Sequence, residues 1–176
     1  MKDYEFTLIF SLPDQNDEPS NYLEALGAAG CTDATIGVGI AGRIAMNFCR
    51  MAEDANEAIS TAIQDVLSVM PHAVLCEAAP DFVGLTDIAE RLGFSRQNMR
   101  KLMEQGGNSF PAPLHQGKTS IWHLASVLTW LRDVKNYSID SRLLELAAVN
   151  MQCNLYRAIN EADSGSQREI SGWLRK

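Results

Sequence analysis

Two short amphipathic helix patterns, separated only by Gly93 and Phe94, constrain the fold of this chain more than any other feature. They lie in the stretch LTDIAERLGFSRQNMRKLMEQ, from Leu85 to Gln105. Apolar residues recur in each pattern at the three- and four-residue spacing of a helix with one buried face. Gly93 can adopt the left-handed conformation that ends a helix, and the side chain of Phe94 is then expected to be buried. The sequence therefore predicts two helices that pack together across a tight turn.

The two predicted helices have matching apolar edges. Thr86 is the predicted cap of the first helix and Ser95 of the second, because a hydroxyl oxygen can accept a bond from a free N–H group of the first turn. Ala89 is small enough to admit close approach of the second helix. The positions predicted to form the shared core are Ile88, Leu92, Phe94, Met99 and Leu102.

The outer side of the second helix is basic and rich in amides. From Ser95 to Lys101 the sequence holds three bases, two amides and no acid. Arginine and lysine pair with guanine in the major groove, asparagine and glutamine pair with adenine, and hydroxyl groups bind phosphates. For any one of these residues, a solvated surface position is the alternative. We predict base contacts from Arg96, Gln97 and Arg100, and contacts to the DNA backbone from Thr86, Ser95, Asn98, Lys101, Lys118 and Thr119.

A second motif follows in FPAPLHQGKTSIWHLASVLTWL, from Phe110 to Leu131. Together with the helix pair, this stretch resembles the MerR-like and AlpA/excisionase-type winged helix-turn-helix DNA-binding domains. The resemblance implies a wing, a small hairpin with strands at residues 114–115 and 120–122 and its tip at Gly117-Lys118. It also implies a closing helix after the wing. Trp122 in the second wing strand and Trp130 in the closing helix are expected to be core residues, because both lie at apolar-periodic positions. His115 is then expected in the wing and His123 at the surface.

The first 80 residues alternate strand and helix patterns. In DYEFTLIFSL the residues Tyr4, Phe6, Leu8 and Phe10 share one side, as in a strand with one buried face. Further strands are predicted at residues 34–38, 44–48 and 72–76, with a short helix after Pro19-Ser20 and a longer one over residues 55–67. This β-α-β-β-α-β order matches the ferredoxin-like arrangement, an antiparallel sheet with both helices on one face. The predicted class is therefore α+β.

The charge distribution divides the chain. Residues 1–80 carry 3 basic and 12 acidic residues, whereas residues 81–134 and 135–176 each carry 6 basic and 5 acidic ones, so the net charge of −7 arises entirely from the first part. We therefore predict a ferredoxin-like domain over residues 1–80, a winged helix-turn-helix over 81–135 and a helical tail over 136–176. The first two together resemble an uncharacterised bacterial helix-turn-helix group whose N-terminal α+β domain carries an AGC-x-DA segment, here Ala29, Gly30, Cys31, Asp33 and Ala34.

Other classes of function have little support. The glycines of GVGIAG, residues 37–42, precede a strand pattern and no Gly-Lys-Ser/Thr follows, so they predict a hairpin turn and not a phosphate-binding loop. The four scattered cysteines form no metal or disulfide pattern and are expected to be buried and reduced. The acidic loop of residues 14–18 is expected to be solvated surface. No arrangement typical of an enzyme, a metal site or a cofactor site is present.

The chain has no apolar run of the roughly 20 residues that a membrane span needs. Its first residues, MKDYEFTLIF, lack the features of a signal peptide. We therefore expect a cytoplasmic protein without a membrane partner.

The tail contains a long helix pattern with two apolar stripes. Ile139, Leu143, Leu146 and Ala147 mark the first; Leu144, Met151, Leu155 and Ile159 mark the second. One stripe is expected to pack on the winged domain and the other on a second copy of the chain. The alternative is that the tail completes the core of a monomer. Trp173 predicts that the last segment docks.

Two functions remain. The first is a dimeric, sequence-specific DNA-binding transcriptional regulator, whose N-terminal domain senses a small ligand or binds a protein partner. The alternative is an antitoxin or immunity-type protein whose acidic domain neutralises a basic partner, with an autoregulatory DNA-binding domain.

Overall fold

A four-stranded antiparallel sheet occupies the N-terminal part of the chain in the computed structural model, which describes residues 1–174. Its spatial order is β2-β3-β1-β4. The chain is thus a mixed α+β protein. The strands are β1 (Lys2–Ser11), β2 (Ala34–Gly37), β3 (Arg43–Ala52) and β4 (Val74–Ala79).

The alternating pattern of β1 produces one fully buried face. Tyr4, Phe6, Leu8 and Phe10 are all buried, as the two-residue period predicts. In the register of β1 with β3, Phe6 lies opposite Phe48, and the two rings stack with centroids 5.2 Å apart. The apolar face of the two central strands therefore anchors the first core.

Two helices cover this face. A 3-10 turn (Pro19–Tyr22) leads into α1 (Leu23–Ala28), and α2 (Ala55–Val69) buries its apolar stripe against the sheet. Asp54 caps α2 by accepting a hydrogen bond from the backbone N–H of Glu57. The predicted last strand, residues 72–76, was placed too early, because a turn joins Ala73 to Met70 and pairing with β1 continues to Ala79.

The second part of the chain, residues 82–133, is called here the helical unit. Its elements surround a second core that includes Trp122 and Trp130, both buried as predicted. Trp122 does not lie in a wing strand: it pairs with Val83 in a separate two-stranded ribbon. The elements are β5 (Phe82–Val83), α3 (Leu85–Leu92), α4 (Arg96–Gly106), β6 (Trp122–His123) and α5 (Leu124–Asp133).

The helix α6 (Ser141–Glu161) joins the two cores. Leu146 belongs to the first core, whereas Ala147, Leu144 and Met151 pack in the second. The same chain thus covers the first stripe and half of the second, Leu144 and Met151, so the expectation that the whole second stripe packs on a second copy of the chain is corrected. Leu155, Tyr156 and Ile159 remain exposed.

The last helix, α7 (Ser164–Leu174), does not dock as predicted. Trp173 is 73% exposed, and no residue of this helix is buried. The side-chain amide of Gln167 donates to the carbonyl oxygens of Ile159 and Ala162, at 2.6 and 2.9 Å. This contact caps the end of α6 and fixes the turn between the two helices.

A buried polar network lies where the two cores meet. The side chain of Asp81 is fully buried; it contacts His123 Nδ1 at 2.7 Å and accepts a hydrogen bond from Asn154 Nδ2 at 2.8 Å. Asn154 also bonds both backbone groups of Ala78. The expectation that His123 lies at the surface is wrong, since its ring is held by the carboxylate that links β4 to the helical unit.

None of the helices within residues 1–174 combines the length and the apolar character that crossing a bilayer requires.

Candidate nucleic-acid interface

The turn between α3 and α4 has the predicted geometry. Gly93 adopts φ 67°, in the left-handed region. The backbone N–H of Phe94 donates to the carbonyl of Ala89 at 2.7 Å, and the Phe94 ring lies 5.3 Å from that of Tyr137. The turn is therefore closed by the backbone and held by an aromatic contact.

The helix pair buries the predicted edge. Ile88, Ala89, Met99 and Leu102 are buried, and Leu92 and Phe94 pack against them half-buried. This core fixes the rotation of α4 about its axis. The remaining faces of α4 point to solvent.

Two capping predictions have different outcomes. Ser95 caps α4, since its hydroxyl oxygen accepts from the N–H of Asn98 at 3.1 Å. Thr86 does not cap α3, which begins at Leu85 after Gly84. Instead the Asp87 carboxylate accepts from the N–H of Gly84 at 2.7 Å, so that Thr86 lies exposed in the first turn.

The exposed surface of α4 carries four of the predicted residues in one stripe. We call Arg96, Gln97, Arg100 and Lys101 the basic stripe; all four are exposed and line a common groove. Their spacing of one, three and four residues places them on adjacent positions of two successive helical turns. The stripe lies away from the buried side chains of Met99 and Leu102.

A cleft of about 550 Å³ separates the basic stripe from the loop before β6. Arg96 and Arg100 form one wall, and Lys118 and Thr119 form part of the other. Thr86 contributes from the start of α3. The structure thus brings together five predicted residues from three separate segments. Asn98 and Ser95 line neither the cleft nor the groove, and the Ser95 oxygen already serves as a cap.

The hairpin predicted as a wing is reduced to an isolated bridge. A single bridge joins His115 to Ile121, with the N–H of Ile121 donating to the carbonyl of His115 at 3.0 Å. The second predicted strand is short because Trp122 leaves the hairpin to pair with Val83. Lys118 is exposed in the loop between His115 and Ile121.

The C-terminal end of α4 packs against aromatic side chains. A Cβ atom at Gly106 would lie 2.6 Å from the Trp130 ring, so only glycine admits this approach. Phe110 meets the Trp130 ring edge-on at a centroid distance of 4.9 Å, and Trp130 Nε1 donates to Ser109 Oγ. The last residue of α4 and the segment that follows it therefore pack closely on Trp130 of α5.

Sequence reasoning missed an acidic residue on this surface. Glu104 lines both the cleft and the groove, and its carboxylate accepts from Arg100 Nε at 2.9 Å. The four-residue spacing of Arg100 and Glu104 on one helix could have predicted this ion pair from the sequence. Arg100 is therefore oriented by a partner on its own helix.

A second missed cluster lies in the first core. Arg50 is buried on the inner face of β3, where it binds the carboxylates of Asp33 and Asp65, each with a shortest contact of 2.8 Å. Burial lowers the pKa of Arg50, but the hydrogen bonds that its guanidinium donates to these carboxylates outweigh burial and raise the pKa above its ordinary value. Burial also raises the pKa of the neighbouring Cys31 thiol to about 11. Gly30, Cys31 and Asp33 of the AGC-x-DA segment thus lie around this arginine.

The remaining candidate sites have less support. Among the described residues no group of three or more histidine, cysteine or acidic side chains is arranged to hold a metal ion. All four cysteines are free thiols; Cys31 is buried, Cys76 and Cys153 are half-buried, and Cys49 is exposed, contrary to expectation.

Comparison with known proteins gave no match: no protein-family model, no curated protein and no solved structure is significantly similar to this chain.

Proposed function

We propose that this chain is a sequence-specific DNA-binding transcriptional regulator that reads the major groove with α4. The basic stripe carries the proposal: four exposed basic and amide side chains lie on a helix whose opposite side is buried. A helix of this diameter fits the major groove, where such side chains distinguish base pairs.

The surroundings of α4 support the same function. Lys118 and Thr119 face the basic stripe across the cleft, where a wing would contact the DNA backbone. The order α3, left-handed turn, α4, short hairpin and α5 agrees with a winged helix-turn-helix. Likewise, the sheet order β2-β3-β1-β4 with α1 and α2 on the buried face favours a ferredoxin-like first domain.

We propose that the regulator is a homodimer. Winged helix-turn-helix proteins commonly bind paired half-sites, because one reading helix covers few base pairs. Leu155, Tyr156 and Ile159 at the end of α6 are large and exposed, as are Ile170 and Trp173 on α7. Several large apolar side chains exposed close together along the chain favour a contact with a second copy of the chain.

The sheet domain is proposed to sense a ligand or to bind a protein partner. A groove of about 530 Å³ lies between α2, β4 and α6, with Ile63, Leu75 and Cys153 among its lining residues. Because α6 also packs on α5, a molecule in this groove would contact the helix that joins the two cores. Its binding could therefore alter the position of the helical unit.

Selection of bound sequences from random duplex DNA by the purified chain tests the proposal. We expect a defined site, bound more weakly by Arg96→Ala and by Arg100→Ala, by ~1–3 kcal/mol each at constant salt. Arg43→Ala is the matched control, because Arg43 is exposed on the sheet and far in sequence from α4. A double Arg96/Arg100 variant that binds as tightly as the unaltered chain would contradict the assignment of α4.

The alternative function, neutralisation of a basic protein, is favoured by the acidic first domain. It holds 12 acidic and 3 basic residues, and Arg50 compensates only Asp33 and Asp65. In that case the chain would select no DNA sequence, or only a site that controls its own production, while a basic partner would bind in a salt-sensitive manner.

A further inference from the structure

Two acidic side chains line the cleft beside the basic stripe: Asp87, whose carboxylate accepts from the N–H of Gly84, and Glu104, which lies on α4 itself. Two turns of α4 separate Glu104 from Arg96, and one turn separates it from Arg100. The ion pair with Arg100 is open to solvent, since the side chains are 70% exposed for Arg100 and 58% exposed for Glu104. Both side chains are therefore accessible to a molecule that lies along α4.

Helix stability does not account for this placement. Glu104 is near the C-terminal end of α4, where the helix dipole disfavours an anion. The order of the pair, with the base before the acid, is also the weaker of the two orders at this spacing. An exposed pair of this kind contributes little to folding. The position of Glu104 is better explained by what the surface binds.

The pair leaves a defined set of hydrogen-bonding groups free. Arg100 uses only Nε toward Glu104, and its two terminal nitrogens have no partner among residues 1–174. Those nitrogens match O6 and N7 of guanine, whereas a carboxylate accepts from the N4 amine of cytosine. Because the two side chains touch, they would reach the same base pair or adjacent ones.

We propose that Glu104 is a specificity-determining residue of the DNA-reading surface, which rests on the DNA-binding function proposed above. Arg100 pairs with a guanine, and Glu104 accepts a hydrogen bond from the N4 amine of a cytosine at the same or the next base pair. On other sequences the carboxylate meets acceptor groups and nearby phosphates and is repelled. Glu104 thus raises specificity by weakening binding to incorrect sites.

The test compares the full chain with Glu104→Gln and Glu104→Ala in selections from random duplex DNA. The expected result is loss of the cytosine preference at one position, by roughly 5- to 150-fold, with the rest of the site retained. Binding to random DNA should become tighter. Glu5→Gln is the control for net charge, because Glu5 is exposed on the sheet and far in sequence from α4.

The possible outcomes separate the two proposals. If the unaltered chain selects a site and Glu104→Gln selects the same site with the same preferences, the role of Glu104 is overturned and DNA binding stands. If Glu5→Gln tightens binding to random DNA as much as Glu104→Gln does, the effect is one of net charge and the inference also fails. If the unaltered chain selects no sequence, the proposed function fails, and the role of Glu104 fails with it.

Discussion

Replacement of Arg50 by methionine removes a side chain of the first core that donates five hydrogen bonds. All five N–H groups of Arg50 are used: Nε and Nη2 bind Asp33, Nη1 binds Asp65 and Thr61, and Nη2 also contacts the carbonyl of Gly30. Methionine retains an unbranched apolar stem of similar length. The substitution therefore isolates the loss of the charge and of its hydrogen bonds.

The expected loss of stability is intermediate for a buried ion pair. Breaking a fully buried pair costs roughly 3–5 kcal/mol, because the partner charge is left without compensation. Here the side chains of Asp33 and Asp65 keep 28% and 29% of their exposure, so water solvates them in part. We therefore expect a decrease of about 2–3 kcal/mol in the free energy of unfolding. Arg50→Lys should recover part of this loss, since an ammonium group has three donors instead of five.

Urea unfolding followed by far-ultraviolet circular dichroism measures this effect. In thermal melts the same loss corresponds to a decrease in Tm of about 4–12 °C for a chain of this length. Arg43→Met is the matched control, because Arg43 lies on the same strand and is exposed; it should change the stability by less than about 0.5 kcal/mol. An Arg50→Met variant as stable as the control would refute the structural role of the cluster.

Three further predictions concern α6. Asn154→Ala should lower the free energy of unfolding by about 3 kcal/mol, measured in urea, because it removes hydrogen bonds to Asp81 and to the backbone of Ala78; equal stability would show that the network is dispensable. Asp140→Ala should cost about 1 kcal/mol at neutral pH by loss of the helix cap. Hydrogen bonds from Arg142 lower the pKa of Asp140, so this stabilisation is present above the ordinary pKa of 3.8 and lost as the pH falls through the folded value; a difference between the two proteins that persists at lower pH would contradict this origin. Leu155→Asp should give a folded monomer in light scattering, whereas unaltered chain that is already monomeric at micromolar concentration would refute the dimer.

Local patterns in the sequence were enough to place the helix pair. The three- and four-residue spacing around Ile88 and Met99 predicts both helices, and Gly93 predicts the turn, because each depends on residues within one or two helical turns. The alternation in β1 predicts its buried face for the same reason. The exposed basic stripe follows from these assignments, since the burial of one side of a helix determines which residues remain outside.

Sequence patterns predicted less where an element has several possible partners. Ser120–Trp122 has the pattern of a strand, but the pattern does not distinguish a wing partner from Val83, and the ribbon with Val83 forms. The apolar stripes of α6 were recognised, yet their partners were not, because periodicity reports that a face is buried and not what covers it. Glu104 was within reach of sequence analysis, since its partner Arg100 is only four residues away.

The buried charges depended on the tertiary structure alone. Arg50 occupies an inward position of β3, which in the sequence appears only as an exception to an apolar alternation; its carboxylate partners lie 17 and 15 residues away on different elements. Asp81 meets His123 and Asn154 from 42 and 73 residues away. The sequence by itself determined the local elements and the exposed face of α4, because short-range periodicity specifies them. Only the tertiary structure decided which charges are neutralised and which helix joins the two cores, because those contacts arise when distant segments fold together.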